Sequence, residues 1–220
     1  MQLADSNKTT EYTCGTEPTT KNKTGEWSYL VPYRENRLSP CSQACLLDGA
    51  IPLWMEAVKR GAWADAWSIM KEKNPFPAIT GHVCFHPCTD QCNRKEFDAA
   101  LKIHEVERAI GEWRLQQNEP EAPTVRLSKT VAVIGSGPAG MSCAYYLNRM
   151  GYQVTVYEKA AVVGGMLALG IPEYRMPRWI LEQELKLLEE EGIEFITNCQ
   201  VGQQLMLSEL YDQHDAVFLA

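Results

Sequence analysis

The sequence predicts an α + α/β protein in which an all-helical segment precedes part of a Rossmann-like domain with a doubly wound, parallel sheet. Three observations lead to this prediction. Apolar residues recur at helical spacing from about residue 41 to residue 113. A short apolar run then enters a glycine-rich turn within residues 131–140. Beyond this turn, short apolar runs alternate with helical patterns, which is typical of a parallel sheet covered by helices.

Helix-breaking residues and apolar faces define the individual elements. Pro52 suits the first turn of a helix that Gly61 ends, and a second helix over residues 63–73 is stopped by the proline-rich stretch that follows. One apolar face over residues 103–113 predicts a third helix. In the second half we predict helices at residues 141–150 and 179–191, and strands at residues 131–134, 153–157, 194–197 and 216–220.

At 220 residues the chain has room for one large or two small domains. We predict an extended N-terminal arm over residues 1–38, a helical domain over 39–114, a linker over 115–129 and a nucleotide-binding domain over 130–220. Parallel strands usually lie inside a sheet, and nothing follows the last apolar run, so the second domain is expected to be incomplete. Either the fold continues in a longer protein or a partner chain completes it.

Residues 131–140 carry the pattern of a dinucleotide-binding turn. Gly135, Gly137 and Gly140 stand in G-x-G-x-x-G spacing between a strand and a helix, and such a helix presents free N–H groups to phosphates. Glu158 ends the next strand, where a carboxylate accepts hydrogen bonds from a free ribose 2′-OH. The pattern therefore favours FAD or NAD over NADP, and the alternative is a glycine-rich turn without a ligand.

Five of the eight cysteines fall in two groups within the helical segment. The first group is Cys41 and Cys45, and the second is Cys84, Cys88 and Cys92, so neighbours within a group are four residues apart. Thiolates at this spacing converge, and they bind either iron–sulfur clusters or zinc. Structural zinc sites favour a C-x2-C pair, which is absent here, and a neighbouring nucleotide fold favours a redox cluster. Zinc and packed, unligated thiols remain as alternatives.

Charge and composition restrict the kinds of partner. A net charge of −7 and an isoelectric point near 5.2 argue against a nucleic-acid partner and against docking to an anionic membrane through a basic face. No apolar run approaches the roughly 20 residues that span a bilayer, and the N-terminus has no signal-peptide core. We therefore expect a cytoplasmic protein without membrane insertion, in which thiols stay reduced.

Six stretches together resemble one family. They are Asn-Pro-Phe-Pro-Ala-Ile-Thr-Gly-His-Val-Cys-Phe-His-Pro-Cys-Thr-Asp-Gln-Cys at 74–92, Leu-Lys-Ile-His-Glu-Val-Glu-Arg at 101–108, the glycine turn from 135, Gly-Gly-Met-Leu at 164–167, Gly-Ile-Pro-Glu-Tyr-Arg-Met-Pro at 170–177 and Asp-Ala-Val-Phe-Leu-Ala at 215–220. This combination is similar to the small (beta) subunit of NADPH-dependent glutamate synthase, a FAD and iron–sulfur oxidoreductase that shares its N-terminal domain with dihydropyrimidine dehydrogenase. The resemblance covers about residues 38–220 and implies only the front part of the family fold.

For the second domain, the resemblance implies that the nucleotide motif binds FAD. The glycine turn would lie against the pyrophosphate, Glu158 would bind the ribose, and the turn at residues 164–165 would approach the flavin. The cofactor-binding residues expected on this basis are Gly135, Ser136, Gly137, Pro138, Ala139, Gly140, Glu158, Lys159, Gly164, Gly165, Met166 and Arg175.

For the helical domain, the resemblance implies one [4Fe-4S] cluster, with two possible. The family commonly holds two clusters and uses an extra cysteine pair just upstream of the position of Cys41, where this sequence has Tyr33 and Asn36. One cluster is therefore expected to have lost ligands. The expected ligands of the remaining cluster are Cys45, Cys84 and Cys88, with Glu107, Cys41 or Cys92 as the fourth. For Glu107, the alternative interpretation is a solvated charge on the surface of a helix.

The function implied by the resemblance is electron transfer. Electrons would pass between NAD(P)H, FAD and the [4Fe-4S] cluster to a larger catalytic subunit or an electron-carrier protein, with the nicotinamide site outside this chain. Such an oxidoreductase needs no general acid, base or nucleophile from these residues, so no catalytic residue is predicted. The alternative is a non-catalytic, zinc-stabilised interaction module that retains a relic nucleotide-binding fold.

Overall fold

The computed structural model describes residues 37–117 and 125–220. Residues 39–220 form one compact unit. Most of the predicted N-terminal arm, including Cys14, Tyr33 and Asn36, lies outside the described residues. No helix within the described ranges is both long enough and apolar enough to cross a membrane.

The first described part is helical, as predicted. Its α-helices are α1 (Pro40–Ala44), α2 (Ile51–Lys59), α3 (Trp63–Lys71), α4 (Pro77–Val83), α5 (Pro87–Asp90) and α6 (Ile103–Gln117), with a short 3-10 helix at Asn93–Glu96 before α6. A hydrophobic core joins α2, α3 and α6 through Trp54, Trp67, Ile103 and Ile110, which are all buried. The apolar positions that predicted these helices are therefore the ones that hold them together.

The largest differences from the predicted helices concern α4 and α6. The proline-rich stretch ends α3 as expected, but Pro77 also starts α4, because the fixed backbone angle and missing N–H of proline suit a first helical turn. Helix α6 continues to Gln117 and so runs into the predicted linker at residues 115–129. Propensity alone did not show either feature.

Helices α4 and α6 cross in direct backbone contact. A Cβ atom at Gly81 would lie 2.5 Å from Arg108 Cα, and a Cβ atom at Gly111 would lie 2.4 Å from the backbone nitrogen of Ala78. Only glycine leaves room for so close an approach. Side chains that flank this crossing therefore meet across the two helices at short distances.

The second part contains a parallel four-stranded sheet in the order β3–β2–β1–β4, which confirms the predicted fold class. This is the order of the first four strands of a doubly wound Rossmann sheet. Short α8 and α10 have weak sequence patterns and were not predicted. The strands are β1 (Thr130–Ile134), β2 (Gln153–Tyr157), β3 (Glu194–Ile196) and β4 (Ala216–Leu219), and the helices are α7 (Pro138–Arg149), α8 (Met166–Leu169), α9 (Arg178–Glu190) and α10 (Leu207–Gln213).

The helical part and the sheet share one hydrophobic core. Phe76 and Ile79 from the α4 region and Leu115 of α6 pack into the same cluster as Val133 of β1 and Ile180 of α9. The change from helices to alternating strands and helices therefore occurs inside one compact unit. The helical part and the sheet are therefore packed against each other.

A buried carboxyl group lies between these two parts. Glu184 on α9 is 2% exposed, and its Oε1 atom has no hydrogen-bond partner among the described residues. Burial raises the pKa of Glu184 to about 7, Lys71 opposes this shift, and Glu191 adds to it. The Lys71 ammonium is itself buried, donates to Pro75 O at 2.5 Å and lies 4.3 Å from the centre of the Tyr145 ring.

Replacing Glu184 by glutamine is expected to remove a pH dependence from the stability. Because its pKa is higher in the folded state, the folded protein binds more protons, and the free energy of unfolding falls as pH rises from 4.5 to about 7. The shift corresponds to about 3 kcal/mol. In urea unfolding, E184Q should gain stability relative to wild type over this range. E182Q, at an exposed position on α9, should follow wild type; a pH-independent difference for E184Q would contradict the prediction.

Candidate functional site

The glycine turn joins β1 to α7 and leaves open space in front of the helix. Gly135 has a φ of +101°, and a Cβ atom at Gly140 would lie 2.0 Å from Gly135 O, so both positions require glycine. A Cβ atom at Gly137, by contrast, would meet no atom within 4 Å. Pro138 and Ala139 open α7, whose first N–H groups lack intrahelical partners. The turn thus offers backbone donors to an anion such as a pyrophosphate.

Glu158 lies beside this turn, and its carboxylate already accepts three hydrogen bonds. Oε2 accepts from the Ser136 backbone nitrogen at 3.0 Å and from Ser136 Oγ at 2.5 Å, and Oε1 accepts from the Ala160 nitrogen at 2.8 Å. Burial acts to raise the pKa of Glu158, but these donors outweigh burial and hold the pKa below its ordinary value. A carboxylate has about four acceptor positions, so this one retains capacity for a ribose hydroxyl.

Ser136 connects the turn to the loop at residues 164–165. Its hydroxyl is buried, donates to Glu158 and accepts from the Gly164 nitrogen at 3.0 Å. A Cβ atom at Gly165 would lie 2.9 Å from Gly137 Cα, so this loop rests directly on the glycine turn. The structure therefore brings these residues together, and their role in binding FAD stays a prediction.

The remaining candidate cofactor residues are exposed. Lys159 follows Glu158 at the surface, and Met166 begins α8 directly after the loop at residues 164–165. Arg175 lies before α9. Burial is the main cause of the lowered pKa values of His86 and His104 in the helical part, and the positive charge of Arg175 adds to both shifts. Arg175 therefore lies towards the cysteine-bearing helices.

Replacing Ser136 by alanine is expected to cost about 1–3 kcal/mol of stability at neutral pH, because it removes a donor to a buried carboxylate and the acceptor of Gly164. The depressed pKa of Glu158 stabilises the folded state above the ordinary carboxyl pKa, and this contribution disappears as pH falls through the lower, folded value. The loss in S136A should shrink accordingly in acid, as measured by urea unfolding.

Ser142 provides the matched control, because its hydroxyl donates to Pro138 O at 2.7 Å on the exposed side of α7. S142A should change the stability by less than about 0.5 kcal/mol. Equal losses in the two variants, or a loss in S136A that does not depend on pH, would contradict the role assigned to Ser136.

Three thiols and one carboxylate line a cavity in the helical part. The cavity has a volume of about 540 Å³, and its lining includes Cys45 after α1, Cys84 at the end of α4, Cys88 on α5 and Glu107 on α6. Apolar side chains make up most of the remaining lining. Members of both cysteine groups therefore meet at one place, although they come from separate elements.

The electrostatics of this cavity suit a cationic occupant. Burial raises the pKa of the Cys88 thiol to about 11, and the nearby Cys45, Glu107 and Cys84 groups add to the shift. Burial also raises the pKa of Glu107. Metal ligands must be deprotonated, and a bound metal provides the positive charge that such a set of acidic groups otherwise lacks.

A single zinc ion and a [4Fe-4S] cluster make different demands on their ligands. Zinc needs about four ligands within roughly 2.0–2.3 Å of one point. In residues 37–117 and 125–220, no three His, Cys, Asp or Glu side chains form such a group. A [4Fe-4S] cluster instead takes one ligand on each of its separated irons, so its ligands need not meet at one point.

Cys41 and Cys92 do not line this cavity. Cys41 Sγ lies 3.1 Å from Ser39 Oγ, and Cys92 Sγ accepts a hydrogen bond from the Leu101 nitrogen at 3.4 Å. Of the three candidates for the fourth ligand, the structure brings Glu107 to the cavity that the three thiols line. The ligand set itself stays a prediction.

Two stacked histidine rings link the segment between Cys84 and Cys88 to α6. His86, between Cys84 and Cys88, has a φ of +59°, which is uncommon for a residue other than glycine. Its ring stacks on that of His104, with 3.6 Å between the ring centres and 16° between the planes. The backbone nitrogen of His86 also donates to Cys84 Sγ at 3.4 Å. His104 lies on α6, as does Glu107, so the stack links two segments that carry candidate ligands.

Asn74 and Thr80 were missed by sequence reasoning, although both hydrogen-bond to Glu107. The available signal was that these two polar residues flank the apolar run at residues 75–79. That pattern alone does not indicate which residue accepts their hydrogen bonds, because Glu107 lies on another helix.

Two protein families match separate parts of the chain. Residues 36–119 match the family described as dihydropyrimidine dehydrogenase domain II, 4Fe-4S cluster, and residues 133–170 match the family described as NAD(P)-binding Rossmann-like domain. The first range contains the thiol cavity, and the second contains the glycine turn and Glu158. The two matches define a class of protein in which a 4Fe-4S domain precedes a Rossmann-like nucleotide domain.

Curated relatives narrow this class. The beta subunit of NADPH-Fe(3+) oxidoreductase from Geobacter sulfurreducens is 37% identical over 83% of this chain and 28% of its own length. The small chain of NADPH glutamate synthase from Bacillus subtilis is 39% identical over 81% of this chain and 36% of its own length. The beta subunit of NADP(+)-dependent formate dehydrogenase from Moorella thermoacetica is 34% identical over 86% of this chain and 30% of its own length.

Over most of its length the chain is homologous to glutamate synthase small-subunit-like proteins, at 37–39% identity, which confirms the resemblance found in the sequence. It spans between 28% and 36% of the length of these three relatives.

Proposed function

We propose that this chain is part of an electron-transfer oxidoreductase subunit that binds FAD at the glycine turn and one [4Fe-4S] cluster in the thiol cavity. The observation that carries the proposal is that both candidate sites lie in one compact unit with a shared hydrophobic core. The two matching families and the oxidoreductase names of the relatives support it.

In the nucleotide site, the chain's contribution is binding and orientation. The N–H groups at the start of α7 would receive the pyrophosphate next to the open space at Gly137. Glu158, held by Ser136, would accept from the ribose. The loop at residues 164–165 would close the site on the flavin side, because it already rests on the turn.

In the cluster site, Cys45, Cys84 and Cys88 would bind three irons, and Glu107 would bind the fourth. The apolar lining would exclude water from the sulfurs, and burial of this kind tunes the reduction potential of a cluster. When bound, the flavin would exchange electron pairs with a nicotinamide and single electrons with the cluster. The shared core would hold the two sites at a constant separation.

The partner in this proposal is a larger catalytic subunit or an electron-carrier protein. The relatives named above are beta or small subunits, which supports a partner for this chain as well. We also propose a cytoplasmic location, which agrees with the free thiols of all seven cysteines in the described ranges.

Anaerobic purification followed by iron, sulfide and flavin analysis tests the proposal. We expect a brown-yellow protein with about four irons and about one FAD per chain, and a paramagnetic cluster after reduction with dithionite. A colourless protein with stoichiometric zinc would overturn the proposal in favour of the zinc-stabilised module.

A second measurement tests the position of the nicotinamide site, which we place outside these residues. Flavin absorbance at about 450 nm should persist when NADPH alone is added and should disappear when dithionite is added. Rapid bleaching by NADPH would refute this placement and would leave the two proposed cofactor sites standing.

A further inference from the structure

Two buried or half-buried polar side chains from the α4 region converge on one oxygen of Glu107. Asn74 Nδ2 donates to Glu107 Oε1 at 2.9 Å, and Thr80 Oγ1 donates to the same oxygen at 2.5 Å. The close crossing of α4 and α6, which Gly81 and Gly111 allow, brings these groups within reach.

The orientation of both donors is determined by their other hydrogen bonds. Asn74 is 5% exposed, and its Oδ1 accepts from the Phe76 nitrogen at 3.1 Å, so its amide NH2 group points the other way. That group also donates to Thr80 Oγ1 at 2.7 Å. Thr80 has one proton to give, and although Phe76 O lies 3.0 Å away, its shortest contact is to Glu107 Oε1. A carboxylate is also the stronger acceptor.

The second oxygen of Glu107 is left without a protein partner. Oε2 has no hydrogen-bond partner within the part of the chain that the structure describes, whereas Oε1 has two. Glu107 lines the same cavity as the three thiols of Cys45, Cys84 and Cys88. One oxygen is therefore held, and the other is available in a cavity whose thiols account for three of the four irons of a cluster.

We propose that Asn74 and Thr80 are positioning residues, which hold Oε1 of Glu107 and thereby present Oε2 to the iron that the three thiolates leave without a protein ligand. This inference rests on the proposed function. Hydrogen bonds to a metal-binding carboxylate orient the ligand and withdraw electron density from it, which changes the affinity and potential of the metal site. Without these donors, the Glu107 side chain would lose its fixed orientation, and for that reason it would occupy the fourth iron less often.

Thr80→Val tests the positioning role, because valine has nearly the shape of threonine but lacks the hydroxyl. We expect a severalfold rise in the share of oxidised clusters that lack one iron, seen by electron paramagnetic resonance, and a shift of the midpoint potential to lower values. Thr80→Ser retains the hydroxyl and should restore the wild-type signal. Asn74→Asp keeps the acceptor for Phe76 but replaces the amide donor, and it should act in the same direction as T80V.

Thr155→Val is the matched control, because Thr155 Oγ1 donates to Glu194 Oε2 at 3.1 Å at the surface. It removes the same kind of hydrogen bond away from the cavity and should leave the spectrum and potential unchanged. Thermal unfolding of each variant checks that it folds, and N74D carries the test if T80V does not fold.

The outcomes separate the inference from the proposed function. If the wild-type protein holds no cluster, the proposed function fails and the inference fails with it. If the wild-type protein holds a cluster but T80V and N74D give the wild-type spectrum and potential, the positioning role alone is overturned.

Discussion

Replacing Cys88 by serine is expected to reduce bound iron at least about tenfold, since loss of a supporting contact already costs about 10–100-fold in metal affinity and Cys88 is a proposed direct ligand. Cys88 is buried, and its thiol belongs to the group of acidic side chains in the cavity. Iron and sulfide analysis after anaerobic purification, with the visible spectrum, measures the effect. The protein should also unfold at a lower temperature, because binding of a metal centre contributes to folding free energy.

Cys41→Ser is the control that makes this experiment decisive about the ligand set. Cys41 lies in the helical part near Cys45, but it does not line the cavity, and its Sγ atom contacts Ser39 Oγ. C41S should retain the iron content of wild type. If C41S lost iron as completely as C88S, Cys41 would be a ligand, and the assignment of Glu107 as the fourth ligand would be wrong.

Replacing Gly137 by alanine is expected to weaken FAD binding about 10–100-fold, which corresponds to about 1.4–2.8 kcal/mol, without unfolding the protein. Gly137 has φ of −68° and ψ of 178°, a backbone conformation open to any residue, and the new Cβ atom would meet no protein atom within 4 Å. That Cβ atom would instead occupy the space in which the pyrophosphate approaches the start of α7. Fluorescence titration of the cofactor-free protein with FAD measures the affinity.

Gly140→Ala provides the contrast, because its Cβ atom would lie 2.0 Å from Gly135 O and 3.2 Å from Ala220 Cβ. This variant should lose thermal stability even without cofactor, whereas the cofactor-free G137A protein should lose at most about 1 kcal/mol through its helix cap. If G137A bound FAD with wild-type affinity, the pyrophosphate would not lie at this turn.

Local patterns in the sequence predicted most of the fold. The predicted bounds of β2 and the predicted start of α6 were correct, because alternation and helical spacing indicate directly which side chains are buried. The order of the strands agrees with the doubly wound class. Helix α4 was missed because Pro77 was interpreted only as a helix breaker, although proline also starts helices.

The sequence predicted the residues of the nucleotide site more completely than the ligands of the cysteine site. The glycine turn, Glu158 and the loop at residues 164–165 lie close together in the structure because a strand–turn–helix unit is a local feature with a strong motif. The hydrogen bonds of Ser136 were not predicted, because the motif does not indicate which group accepts the hydrogen bond of its serine hydroxyl. For the cysteines, spacing identified candidate ligands without showing which of them share a cavity.

The sequence by itself determined the fold class, the glycine turn and the two cysteine groups, because each depends on residues that are near one another in the chain. Only the tertiary structure decided that Cys45, Cys84, Cys88 and Glu107 line one cavity and that the helical part shares a core with the sheet. Both depend on packing between distant segments. The crossing of α4 and α6 at Gly81 and Gly111 requires two helices to meet backbone to backbone, and neither glycine reveals its partner until the chain is folded.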